Sequence, residues 1–414
     1  MRESSSANSD CVAERPEACA HCFMIASWIC ARSRCPSGSG LGRLRNVPRM
    51  GLFRADQVTL AEPMSVVGSK RDTRHDPIDV RSSRNNRHRL ARPYVRSVHL
   101  QPGIELLRCW KVTHAYSGYC IGKHMHTEQL TWHYDDATIE LGADWSGQGS
   151  LVLLLPALSS ISTRREMRPL QERLCAHYQT VSIDWPGFGD RPRLRHDWRP
   201  EIYSDFLTYL VKTVLPPLHA VIAAGHAATF ALLQAYAHPG SFKRLVLIAP
   251  TWRGPLPTMM NGRRPLFDRI CQIVDLPVIG PLLYRLNVNR LVIRYMAAGH
   301  VYVDAAWLDG QRLRDKLAVT RPPGARFASV RFVAGKLDPL ATRSEFLDLA
   351  RRSPVRILMV YGAQTPSHSR AEMEALASVH SVQSVMLPRG KLSVHEEFPD
   401  LVAEAIGPFL LDRN

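Results

Sequence analysis

From about Gln129 onward, short apolar runs alternate with stretches in which apolar side chains recur every three or four positions. A strand shows its side chains to two faces and a helix gathers them on one stripe, so this alternation predicts an α/β architecture with a largely parallel sheet. Leu130–His133 and Ala137–Leu141 flank a turn and predict a hairpin. Ser150–Leu155 (SLVLLL) is apolar at nearly every position, as a strand covered on both faces must be. Thr180–Asp184, Ala220–Ala224, Lys243–Pro250, Arg356–Gly362 and Ser381–Leu387 read as further strands. Helical spacing runs through Met167, Leu170 and Leu174, and again through Tyr203, Phe206, Leu207 and Leu210. Phe230–Tyr236 is an apolar helix entered directly from a strand.

The loops after these strands carry an ordered set of motifs: LLLPALSS, DWPGFGD, AAGHAATFAL, LVLIAP, YGAQTP and GKLSVHEEF. In this order they resemble the α/β-hydrolase fold from roughly residue 130 to the C-terminus. The resemblance implies a nucleophile at the centre of G-x-S-x-G, on a strained strand-to-helix turn, with an acid and a histidine supplied after later strands. Here the five positions read Gly225, His226, Ala227, Ala228 and Thr229. Ala227 therefore stands at the nucleophile position. A methyl group can neither attack a carbonyl nor be activated by a base, so covalent acyl transfer has no starting point.

The other positions follow from the same resemblance. Thr365 in Gly362-Ala363-Gln364-Thr365-Pro366 occupies the place of the acid, where it cannot stabilise an imidazolium as a carboxylate would. Asp338 is a substitute acid or, as the favoured reading, the N-cap of the helix through Phe346, Leu347 and Leu349. His395 falls where the catalytic base would, and Glu396 and Glu397 behind it read as helix-start carboxylates. Backbone N–H groups of Ala228 and Leu158 would form the oxyanion hole. Ser159 and Ser160 read as capping hydroxyls.

About 105 residues separate Pro250 from the strand at Arg356, far more than one crossover needs. The part over 251–325 is expected to form a cap, broken into short helices at Gly254, Pro277, Gly280 and Pro281. Its segment from Leu266 to Met296 mixes aliphatic residues with Arg263, Arg264, Arg269, Arg285, Arg290 and Arg294 just before and within it. That composition suits a small, partly apolar ligand or a protein partner beneath the cap, and arginines that face an anionic ligand or surface. No cofactor fingerprint is present.

Charge and cysteines change the picture only at the N-terminus. Half of the net charge of +16 falls in residues 1–100, so the basic pI is weak support for nucleic-acid binding by the domain over 126–414. Residues 1–125 read as a basic arm without a fold of their own. Between Met24 and Ala55 there is no acid, while arginine and serine alternate, which is the composition of an organelle transit peptide. The text of the cap and of GKLSVHEEF is similar to a poorly characterised hydrolase-fold branch from photosynthetic organisms, which implies a plastid (chloroplast) address, with mitochondrion as the alternative. Cys19, Cys22, Cys30 and Cys35 have zinc-ligand chemistry but no periodic apolar residues around them, so no metal site is expected. No apolar run reaches the length of a membrane-spanning helix. The expectation is a pseudoenzyme on a hydrolase fold. The alternative is an enzyme that uses His395 as general base for lyase, oxygenase or hydrolase-like chemistry without a covalent serine intermediate.

Overall fold

The computed structural model describes residues 125–412, all within one compact unit that runs from His114 to Asn414. The cysteines and arginine runs of the arm lie outside the described residues. Eight strands form one sheet: His126–Tyr134 (β1), Ala137–Ser146 (β2), Ser150–Leu155 (β3), Tyr178–Ile183 (β4), Leu218–Ala224 (β5), Phe242–Ile248 (β6), Arg356–Gly362 (β7) and Val382–Leu387 (β8). Their spatial order is β1-β2-β4-β3-β5-β6-β7-β8. β2 pairs antiparallel with β1 and β4, and every other pairing is parallel. This is the mostly parallel, helix-flanked sheet expected from the resemblance.

The flanking helices are Arg168–Leu174 (α1), Pro200–Tyr209 (α2) and Ala227–Ala237 (α3) before the insertion. Ser367–Ala377, Val394–Glu397 and Pro399–Leu411 follow it. β3, β5 and β6 are buried along nearly their whole length because helices cover both faces. α3 is apolar on all sides and buried accordingly, and its small residues Ala227, Ala228 and Ala231 let it lie close against the sheet. One large core joins the sheet to these helices.

Between β6 and β7 the insertion folds as a series of short helices, namely Pro255–Met259, Pro265–Asp275, Ile279–Asn287, Arg290–Met296, Gly310–Val319, Ala325–Val333 and Arg343–Arg351. Two of them begin at proline, whose fixed φ suits the first helical position and whose missing N–H costs nothing there. Thr342 caps the last, its hydroxyl accepting from the Glu345 N–H. That corrects the expectation that Asp338 is this cap.

Buried under the loops after β3 and β4 lies a charged knot. Arg164, 2% exposed, reaches Asp144 at 2.9 Å, Asp184 at 2.5 Å and Asp190 at 2.9 Å. Burial pushes the Asp184 carboxyl up to about 6, against the pull of Arg164.

Candidate active site

A parallel sheet brings the carboxyl ends of its strands to one edge, where loops from distant parts of the chain meet. The loop after β5 is the strand-to-helix turn Gly225–His226. It is held by its neighbours: the Gly225 N–H donates to Ile248 O at 2.9 Å, and the Thr251 N–H donates to Gly225 O at 3.0 Å. Gly225 has φ +53°, a backbone conformation that costs other residues about 1–2 kcal/mol, and it is half-buried. Ala227 is the first residue of α3 and is fully buried. The left-handed residue of the turn is thus Gly225. A Cβ added there would meet the Ala157 Cβ, from the loop after β3, at 3.2 Å.

Of the expected oxyanion donors, the Ala228 N–H turns back to Gly225 O at 3.3 Å. Leu158 is buried beside the elbow loop's neighbour Ala157, whose own N–H donates to the Glu166 carboxylate at 2.6 Å. Ser159 accepts from the Ile161 N–H at 3.4 Å, within its own turn.

Thr365 and His395 occupy different surroundings. The Thr365 hydroxyl donates to Gly362 O at 2.8 Å, closing its own turn at the end of β7. That loop is joined to the one after β8, where the Gln364 N–H donates to Gly390 O and the Gly390 N–H donates to Gln364 Oε1. His395, 1% exposed, has its Nε2 3.6 Å from Glu166 Oε1. Among the described residues neither ring nitrogen has a hydrogen-bond partner. Among the described residues no hydrogen bond or ion pair joins His395 to Thr365, Asp338 or the elbow.

His395 belongs instead to a buried charged cluster that joins the core to the insertion between β6 and β7. Glu166, His395 and Glu396 place one ligand atom each within 4.8 Å of one another. The donor types would suit a divalent ion, but Lys316 from the insertion helix Gly310–Val319 already supplies positive charge, with its Nζ 2.9 Å from Glu396 Oε1 and 3.9 Å from Glu166 Oε2. Burial works to raise the Glu166 carboxyl, yet His395 and Lys316 outweigh it and hold the group below the usual range. The Lys316 ammonium is correspondingly raised, because Glu396 and Glu166 outweigh the effect of burial. The Tyr302 hydroxyl donates to Glu396 Oε1 at 2.9 Å, and Glu397 accepts from the N–H groups of Val303 and Asp304 at 2.8 Å each. Glu396 and Glu397, expected only as helix-start carboxylates, fasten the insertion between β6 and β7.

Asp338, between the helices Ala325–Val333 and Arg343–Arg351, lies against the elbow. Its Oδ1 accepts from the Gly254 N–H at 2.8 Å and lies 3.4 Å from His226 Nε2. Burial pushes Asp338 up to about 7 and His226 down to about 4, so both are neutral over the mildly acidic range. His226 packs edge-on against Phe230 and Phe332. Sequence reading missed Glu166, Lys316 and Tyr302, because an isolated charge in RREM or RLRDKL breaks no period and names no partner.

The fold has counterparts of known structure. An esterase from Thermogutta terrifontis shares 19% identity at a TM-score of 0.51, over 69% of this chain and 98% of its own. A bromoperoxidase from Bacillus anthracis matches at 15% and 0.51, over 69% and 100%. The Cif epoxide hydrolase from Acinetobacter nosocomialis matches at 14% and 0.52, over 69% and 89%. At such identities the likeness is one of fold. No curated protein sequence matches the chain. The model of the alpha/beta hydrolase family matches residues 152–405, more than half of the chain, and the chain belongs to that family.

Proposed function

We propose that this protein is a hydrolase-fold protein without a covalent nucleophile, which binds a small, partly apolar ligand or a protein partner beneath its cap instead of forming an acyl-enzyme. The observation that carries this reading is the chemistry of the elbow. Ala224, Gly225, Ala227 and Ala228 hold no nucleophilic group, and the His226 ring is buried against Phe230 and Phe332, so the reading stands for an apex at any of these small residues. The positive φ and partial exposure of Gly225 favour Gly225 as that apex, in place of Ala227. The oxyanion donor on the elbow then becomes His226 in place of Ala228. Among the described residues, neither the His226 nor the Leu158 N–H has a backbone partner, which suits a ligand carbonyl.

A second reading draws on the Glu166–His395 pair. A carboxylate beside a buried imidazole is the arrangement that orients a general base, so a reaction without a covalent intermediate would use His395. A fluorophosphonate probe on the full chain separates these readings from ordinary serine hydrolysis: no serine should be labelled, and stoichiometric labelling of any one overturns the proposal. Ester and lactone panels on wild type and His395→Ala decide the second reading, since equal rates remove His395 from the chemistry.

A further inference from the structure

The cap carries a surface that neither the core nor the ligand site explains. Ile279–Asn287 turns Gly280 and Tyr284 inward, while Ile279, Leu282 and Leu286 stand 50%, 60% and 56% exposed on its outer side. On Arg290–Met296 the inward residue is Ile293, and Leu291 is 79% exposed. Val278, in the connection just before the first of these helices, is 80% exposed. Most of the exposed large apolar side chains among the described residues fall within this one stretch of the cap. Singly scattered, they would need no explanation; gathered on adjacent short helices, they mark an interaction site.

Charge says which kind. From Leu276 to Val303 there is no Asp or Glu, while Arg285, Arg290 and Arg294 are all exposed. Arg294 approaches Asp309 at 3.8 Å, but among the described residues no carboxylate pairs with Arg285 or Arg290. A cavity of about 490 Å³ opens beside the same helix, lined by Pro281, Arg285, Arg321 and Arg326 among others. Apolar side chains projecting from helix surfaces, rimmed by unpaired guanidinium groups and without acids, match the layered chemistry of a bilayer interface. The aliphatic groups enter the acyl boundary, and the arginines meet phosphates. No helix among the described residues is long and apolar enough to cross a membrane, so contact of this kind lies along the surface.

We propose that the outer face of the cap, from Val278 to Tyr295, docks on an anionic phospholipid bilayer. The basic arm adds electrostatic attraction in every variant, so the comparison is between full-length proteins that differ only in the cap. Partition onto vesicles of phosphatidylcholine with about one third phosphatidylglycerol is measured by co-sedimentation. Leu282→Ser with Leu291→Ser, and separately Arg285→Ser with Arg290→Ser, should each weaken it by about tenfold or more, with melting unchanged. Unchanged partition in either pair overturns the proposal, as does equal binding to phosphatidylcholine alone. Self-association that the leucine pair abolishes, without vesicle binding, also overturns it and assigns the face to a second copy of the chain. Leu291→Trp gives an independent readout: its emission should shift to the blue on anionic vesicles and be quenched by brominated acyl chains, and the absence of both refutes insertion.

Discussion

At the scale of single residues, the elbow shows how one glycine can be read in two ways. In G-x-S-x-G the first glycine flanks the nucleophile, and counting from Gly225 puts Ala227 at the centre. Backbone torsion is invisible in the letters, and φ +53° belongs to Gly225 itself. His226 and Asp338 illustrate a second such limit, since their pairing spans 112 positions and has no local signature. Their titration makes a signed prediction. Unfolded, Asp338 releases its proton near 3.8 and His226 near 6.5; folded, the values are about 7 and about 4. Between pH 4 and 6.5 the unfolded chain holds a proton on His226 and none on Asp338, and the folded chain holds the reverse. The proton counts match, so the pair gives stability no slope there. Asp338→Asn leaves only the depressed histidine, whose contribution is gained as pH rises from about 4 to 6.5, with a slope up to about 1.4 kcal/mol per pH unit relative to wild type. His226→Asn leaves only the raised carboxyl, and stability is then lost as pH climbs from about 4 to about 7. Urea titrations across this range check both signs, and parallel curves for all three proteins contradict the assignment.

At the scale of elements, the strands were legible because burial on both faces leaves an uninterrupted apolar run. β3 and β7 fall on the residues expected, and β4, β5, β6 and β8 shift by a few residues at most. Connections were harder. Thr342, not Asp338, caps the helix at Arg343, since capping depends on where the chain turns into the helix and not on the nearest Asp. The loops after β3 and β4 depend on Arg164, which satisfies three carboxylates at once. Arg164→Met leaves Asp144 and Asp184 buried without their cation and should cost about 3–5 kcal/mol. Arg164→Lys should recover only part, because an ammonium is a point charge and lacks the guanidinium's planar fork. Chemical denaturation of both variants tests this, and a loss below about 1 kcal/mol for Arg164→Met would show that the network is dispensable.

For the whole molecule, the described residues, 125–412, lie within one compact unit and have their own core and sheet. A fragment from His114 to Asn414 should therefore melt cooperatively at the same temperature as the full chain, by circular dichroism and calorimetry; a broad or lowered transition would show that the preceding residues take part in the fold. The amino-acid sequence by itself determined the architecture, because alternation of apolar runs and helical stripes is a local consequence of which faces are buried. It also supplied the composition of the turn after β5, where Ala224 to Ala228 carry no hydroxyl, thiol or carboxylate, and on which the proposed function rests. Only the tertiary structure decided what His395 faces, that Glu396 and Glu397 tie the insertion down through Lys316, Tyr302, Val303 and Asp304, and which side of the insertion's helices stays in water. Those facts rest on contacts between residues about 80 to 230 positions apart, and pairings at such range leave no period along the chain for a reader to find.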